Sequence, residues 1–271
     1  MEKKKMVLMI FISIFTFILI IIIIGLVRLN LQNEEKVIKE DIKKKYELTK
    51  KEIATLTDII SIYDNYLIIY DGTKDINALT DLDKINFIDR LPFEAKKELD
   101  LDFNTGVSLN RIKNLLKKYF GPKTSFNPVN STCFLGDGDY LIYDSNTKMY
   151  KANNMEHEHG AYLSLNIINY YLEGQKVVDN DKLIYTITLK KALAWPNTTI
   201  FYSNYKDLEA SSNPVVDLYK INKEYEEDAI PDLLEPYKDK FTSYTYIFET
   251  KSSISNAYLK KFTKDFTNNE I

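Results

Sequence analysis

The chain carries two histidines, and both fall in Glu156-His157-Glu158-His159-Gly160. In an extended segment, residues two apart point to the same side. His157 and His159 could therefore grip one Zn²⁺ ion together, with Glu156 or Glu158 as a carboxylate neighbour. A zinc centre of this kind would suit a metal-dependent hydrolase, but nothing in the spacing supplies a third ligand. The plainer alternative is a polar turn between two strands, closed by Gly160. Two carboxylates beside the imidazoles would then raise both histidine pKa values. A second pattern is rich in oxygen ligands. Asp100, Asp102, Asn104 and Gly106 alternate as D-x-D-x-N-x-G, like the first half of a calcium loop. Its glycine comes one residue late, and Arg111 stands where the bidentate Glu belongs. A polar loop ahead of a helix explains it more simply. No cofactor is expected beyond these zinc and calcium alternatives.

Cys133 is the one cysteine, so no intrachain disulfide can form and the fold must rest on its core. A buried, inert thiol is the expected role. The Ser131-Thr132-Cys133 run invites comparison with sortases, which are anchored outside the membrane and carry a Thr-x-Thr-Cys strand. That family's histidine precedes its cysteine, and no histidine precedes Cys133 here. Glu224, Glu226, Glu227, Asp228, Asp232 and Glu235 make an acidic stretch, read as a solvated loop or a contact for a cationic partner. Tyr140, Tyr143, Tyr170, Tyr171, Tyr202, Tyr205, Tyr244 and Tyr246 lie in strand-like segments. On an outer sheet face they would suit contact with a glycan or protein. Strand propensity alone also accounts for them. Trp195 before Pro196 reads as a core anchor at a strand end.

These residues need elements to hold them. Residues 6–27, MVLMIFISIFTFILIIIIIGLV, carry no charge. A helix of that length spans about 30 Å of hydrocarbon. Lys3, Lys4 and Lys5 precede it, so residues 1–5 are expected in the cytoplasm and the C-terminus outside. The run is longer than a signal-peptide core and lacks a small-x-small cleavage site, which predicts an uncleaved single-pass anchor. Residues 28–72 read as a helical stalk. Ile42, Tyr46, Ile53, Leu56, Ile60, Tyr63 and Leu67 fall on one stripe in steps of three and four. The stripe would either dimerise as a parallel coiled coil or pack on the chain's own domain. Residues 59–70 are apolar beyond a narrow seam, which favours the second use.

Residues 73–271 form the expected extracytoplasmic domain. Pro92 opens a short helix, and Ser108 caps LNRIKNLLKKYF ahead of Gly121-Pro122. Strands follow at Asp139–Asp144, Met149–Ala152, Tyr162–Leu172, Leu183–Lys190, Thr199–Tyr205 and Ser243–Thr250. Residues 206–240 read as a loop or short helix, and Asn256–Phe266 as an amphipathic stretch. Helices followed by an antiparallel meander make an α+β plan: helices packed on a curved sheet of about six strands. In element order this is similar to the cystatin-like and NTF2-like shapes.

The chain's net charge of −3 gives no basic footprint for nucleic acid. The expected role is a membrane-anchored, non-enzymatic binding module at the cell envelope. Its partners would be the lipid bilayer through residues 6–27 and an envelope protein or polymer. The alternatives are a zinc hydrolase built on His157 and His159, and a structural or sensory protein that self-associates as a homodimer through the stalk.

Overall fold

The computed structural model describes residues 25–28, 44–70, 72–132, 140–153, 165–221 and 226–265. Contacts divide the chain into two units, residues 1–45 and 46–271. In the first, residues 25–28 are helical. Residues 6–24 of the expected anchor lie outside the described residues, and no described helix is long and apolar enough to cross a membrane.

Strand β1 (Lys44–Glu47) precedes helix α1 (Lys50–Leu67). A continuous helix from residue 28 is therefore not what the described residues show. Thr49 stops it: its side chain accepts from the Glu52 amide, and the Glu52 carboxylate reaches back to the Thr49 amide. Both groups satisfy N–H donors that a helix start leaves open. Leu56, Ile60, Tyr63 and Leu67 of the stripe are buried in the chain's own core.

After β2 (Thr73–Asp75) come α2 (Asp81–Asp89), α3 (Phe93–Glu98), β3 (Val107–Ser108) and α4 (Leu109–Phe120). Ser108 caps α4, and Gly121 ends it at φ 97°, a conformation that glycine adopts without strain. Then follow β4 (Leu141–Asp144), β5 (Met149–Ala152), β6 (Asn166–Asp179), β7 (Lys182–Ala194), β8 (Ile200–Phe201), α5 (Tyr205–Glu209), β9 (Val216–Asp217), α6 (Leu218–Ile221), α7 (Ile230–Leu234), β10 (Ser243–Thr250) and β11 (Tyr258–Asp265).

The main sheet has six strands in the order β1-β6-β7-β10-β11-β2, and every pairing with a register is antiparallel. The mixed α+β class and the strand number agree with expectation, but the membership differs. β4 and β5 pair with β3 in a separate three-stranded sheet, and β8 pairs only with β9. Their places are taken by β1, β2 and β11. β11 is the stretch read as merely amphipathic. Its Leu259 and Phe262 are buried, with a bulge at Lys260, where Ile247 pairs with Lys261 but Phe248 pairs with Leu259. That bulge blurs the period-two pattern on which a strand reading depends.

Tyr185, Ile187 and Leu189 of β7 and Tyr244, Tyr246 and Phe248 of β10 belong to the main core, together with the buried side of α1. Tyr63 sits at its centre, stacked on Phe87 at 5.4 Å and edge-on to Tyr119 and Phe248 at 5.9 and 6.0 Å. The opposite phase of β7, Ala192 and Ala194, packs on a smaller cluster with Phe201, Val216, Leu234 and Phe241. In β6 the register slips between Tyr171 and Glu173. The bulge leaves Tyr171 and Leu172 exposed and switches which residues face the core. Asn169 faces α1 before it, and Gly174 lies against Leu48 after it.

Candidate functional site

At the end of the β6–β7 hairpin away from its tight turn lies a groove of about 720 Å³. Asn166 to Ile168, Pro196 to Thr199, and Asp228 with Ile230 and Pro231 form its sides. Local hydrogen bonds fix each side. Past β7, the Thr198 amide and hydroxyl both donate to the Trp195 carbonyl, at 3.3 and 3.0 Å. Asn197 takes φ 59° inside that turn, which asparagine tolerates. The Thr199 hydroxyl donates to Asp217 at 3.3 Å, and the Leu218 amide donates to the Thr199 carbonyl at 2.9 Å. Across the groove, the Tyr170 hydroxyl donates to the Pro231 carbonyl at 2.8 Å, and its ring stacks parallel to Phe241. The groove thus offers carboxamides, hydroxyls and one carboxylate around Ile168, Ile230 and Phe201. That set hydrogen-bonds a polar ligand and favours hydroxyl or cationic groups near Asp228.

On the core side of the same hairpin lies a polar cluster. Lys191 is fully buried and donates to Asp64 Oδ2 at 2.8 Å and Asn169 Oδ1 at 2.5 Å. The Tyr246 hydroxyl donates to Asp64 Oδ1 at 2.8 Å, and the Tyr244 and Tyr246 rings lie 5.8 and 5.4 Å from Lys191 Nζ. The fold converges these groups simply. Asp64 interrupts the apolar stripe of α1, Lys191 continues the inward phase of β7, and Asn169 is its partner in the strand register. Burial pulls the Lys191 ammonium below its ordinary value, against the attraction of Asp64. Burial and the Asp64 carboxylate push the Tyr246 phenol well up, so it stays a neutral donor.

A second buried pair joins α2 and α3. The Lys96 ammonium donates to the Asp89 backbone carbonyl. Burial raises the Asp89 carboxyl to about 6 and lowers Lys96 to about 8. Among the described residues, Asp89 Oδ1 has no hydrogen-bond partner.

His157, His159 and Cys133 lie outside the described residues, as does Glu224. Asp100, Asp102 and Asn104 are in one loop, with Asp100 at φ 51°. Asp102 accepts from the Asn104 amide at 3.0 Å and the Thr105 hydroxyl at 2.9 Å. The Thr105 and Asn104 bonds hold its carboxyl below the usual range. Arg111 reaches back to the Leu99 carbonyl at 2.6 Å. The Asp102 oxygens thus serve their own turn. Among the described residues, no three His, Cys, Asp or Glu side chains are grouped to hold a metal ion.

The tyrosines are not an outer face. Tyr202, Tyr205, Tyr244 and Tyr246 are buried, and Tyr171 stands out as exposed because the bulge turns it outward. The alternation of β10 drives its tyrosines inward. Trp195 packs on the core, as expected. Of the acidic stretch, Asp228 lines the groove. Sequence reasoning missed the buried cluster, although its signal was present: one aspartate on an apolar helix stripe and one lysine in phase with an inward-facing strand. Compared with known protein families, curated proteins and solved structures, the chain matches none.

Proposed function

We propose that this protein is a membrane-anchored binding module. Residues 6–27 hold it in the bilayer, and the folded unit stands outside the cell. There it engages a polar envelope partner, a wall polymer or a protein, in the groove between Asn166, Thr199 and Asp228. The uncharged run of residues 6–27 behind Lys3, Lys4 and Lys5 supports the anchor and its direction. The observation that carries the binding role is the groove itself. It is a groove of about 720 Å³ whose lining brings amide, hydroxyl and carboxylate groups beside Ile167, Ile168, Ile230 and Phe201. Helices packed on the six-stranded antiparallel sheet suit a rigid scaffold that presents such a site.

The test is site-specific photocrosslinking in cells. A photoreactive residue at Thr198 should capture a defined partner, and one at Lys117, exposed on α4, should not. Asp228→Arg should abolish capture from Thr198 without altering the folded protein's circular dichroism. Equal capture from both positions would refute the groove as the contact. A membrane-impermeant thiol reagent on whole cells checks the orientation. In a Cys133→Ser background it should label Lys117→Cys before permeabilisation, and labelling only afterwards would place the unit inside.

A further inference from the structure

We propose that Lys191 and Asn169 are poised to form an intramolecular isopeptide bond, with Asp64 as the proton carrier. The reacting groups are already in contact. Lys191 Nζ lies 2.5 Å from Asn169 Oδ1. Adding the C=O bond puts the carboxamide carbon no farther than about 3.7 Å from the amine, close to the separation of a near-attack arrangement. The strand register holds both residues opposite one another.

The surroundings favour the chemistry. Lys191 is fully buried and Asp64 is 2 % exposed, so neither charge is stabilised by bulk water. Passing a proton from the ammonium to Asp64 Oδ2, 2.8 Å away, removes both charges together and leaves a neutral, nucleophilic amine. The Tyr246 hydroxyl donates to the other oxygen of Asp64. That bond fixes the orientation of the carboxyl and leaves Oδ2 for proton exchange.

The step balances without any added reagent. The Lys191 amine attacks Asn169 Cγ, and a C–N bond forms. Asp64, now a carboxylic acid, gives its proton to the departing amide nitrogen, while the attacking nitrogen returns one to Asp64. The original C–N bond breaks and ammonia leaves. The products are a neutral secondary amide between β6 and β7, a protonated Asp64 and ammonia. No oxidation or reduction occurs. The gain is physical: an ion pair that burial penalises becomes a neutral amide, cross-linking a chain whose single cysteine allows no intrachain disulfide.

The experiment is mass spectrometry of the purified full-length protein. The intact mass should fall short of the sequence mass by about 17 Da, the ammonia lost when an amine displaces an amide. Digestion should yield a branched peptide joining Asn169 to Lys191. Asn169→Ala and Asp64→Ala should each restore the full mass. Asp64→Asn, a gentler change, should do the same in a folded protein. The full sequence mass in folded wild-type protein would overturn the proposal. So would an ammonia loss without that branched peptide, or a water loss of about 18 Da with a Lys191–Asp64 link, which marks condensation on the acid instead.

Discussion

Replacing Tyr63 with Phe removes one oxygen atom from the centre of the core and should destabilise the fold far beyond its size. The hydroxyl donates to the Tyr119 carbonyl at 2.7 Å. Tyr119 is the penultimate residue of α4, where carbonyls have no donor within the helix. Tyr63 therefore caps α4 from across the core. Phenylalanine keeps the ring stacked on Phe87, so packing is little changed. The buried Tyr119 carbonyl left without its partner costs about 1–3 kcal/mol. Urea unfolding of the full-length protein in detergent, followed by the fluorescence of its single tryptophan, Trp195, measures this. At a slope of about 2–3 kcal/mol/M, the midpoint should fall by about 0.5–1 M with the slope unchanged. Tyr63→Leu, which also loses the ring contacts, should fall further. A Tyr63→Phe change below about 0.5 kcal/mol would refute the cross-core cap, because it lies within the range of a surface substitution.

Other expectations follow from single contacts. A methyl group at Gly174 would stand 2.5 Å from Leu48 Cδ1 and 3.1 Å from the Thr186 carbonyl. Gly174→Ala should therefore cost about 1–3 kcal/mol; in the double variant with Leu48→Ala the two losses should be less than additive in a denaturant cycle. Thr49→Ala should cost about 1 kcal/mol by opening the start of α1, read as a lower Tm. Asp89 titrates at about 6 when folded against an ordinary value of 3.8. The folded state thus holds an extra proton between about pH 4 and 6, and this group's stabilisation is lost as pH rises through 6. Asp89→Asn should remove up to roughly 3 kcal/mol of that fall. The difference in Tm between wild type and variant should change across pH 4–6, and parallel curves would contradict the assignment.

Where the chain's chemistry is local, its sequence was readable. Ser108 and Gly121 bracket α4, and the strict alternation of residues 183–189 places Tyr185, Ile187 and Leu189 in the core. The α1 stripe was readable too, but not the helix start, which depends on one threonine–glutamate pair. The main sheet's membership was hidden because β1 and β2 are short and β11 faces a shifted register. Composition left the tyrosines open to an outward face or to strand propensity alone, because side-chain direction is set by register, and the β6 bulge cannot be seen without the partner strand. The groove was less legible still. Its sides come from segments around residues 167, 198 and 230, and no short-range pattern links them. Asp64 and Tyr246, whose contact builds the buried cluster, are 182 positions apart.

That separation has a temporal meaning. β10 lies between β7 and β11, and β2 joins the sheet through β11. Helix α1 therefore completes its seat against the sheet only after nearly the last strand has been made. At about 5–20 residues per second, α1 waits roughly 10–40 s between its own synthesis and the arrival of Tyr246. Throughout that interval Leu56, Ile60, Tyr63 and the carboxylate of Asp64 lack their final surroundings. A chain cut short before β10 thus lacks Tyr244, Tyr246 and Phe248 of the core, and with them the Tyr246 hydroxyl that Asp64 accepts from.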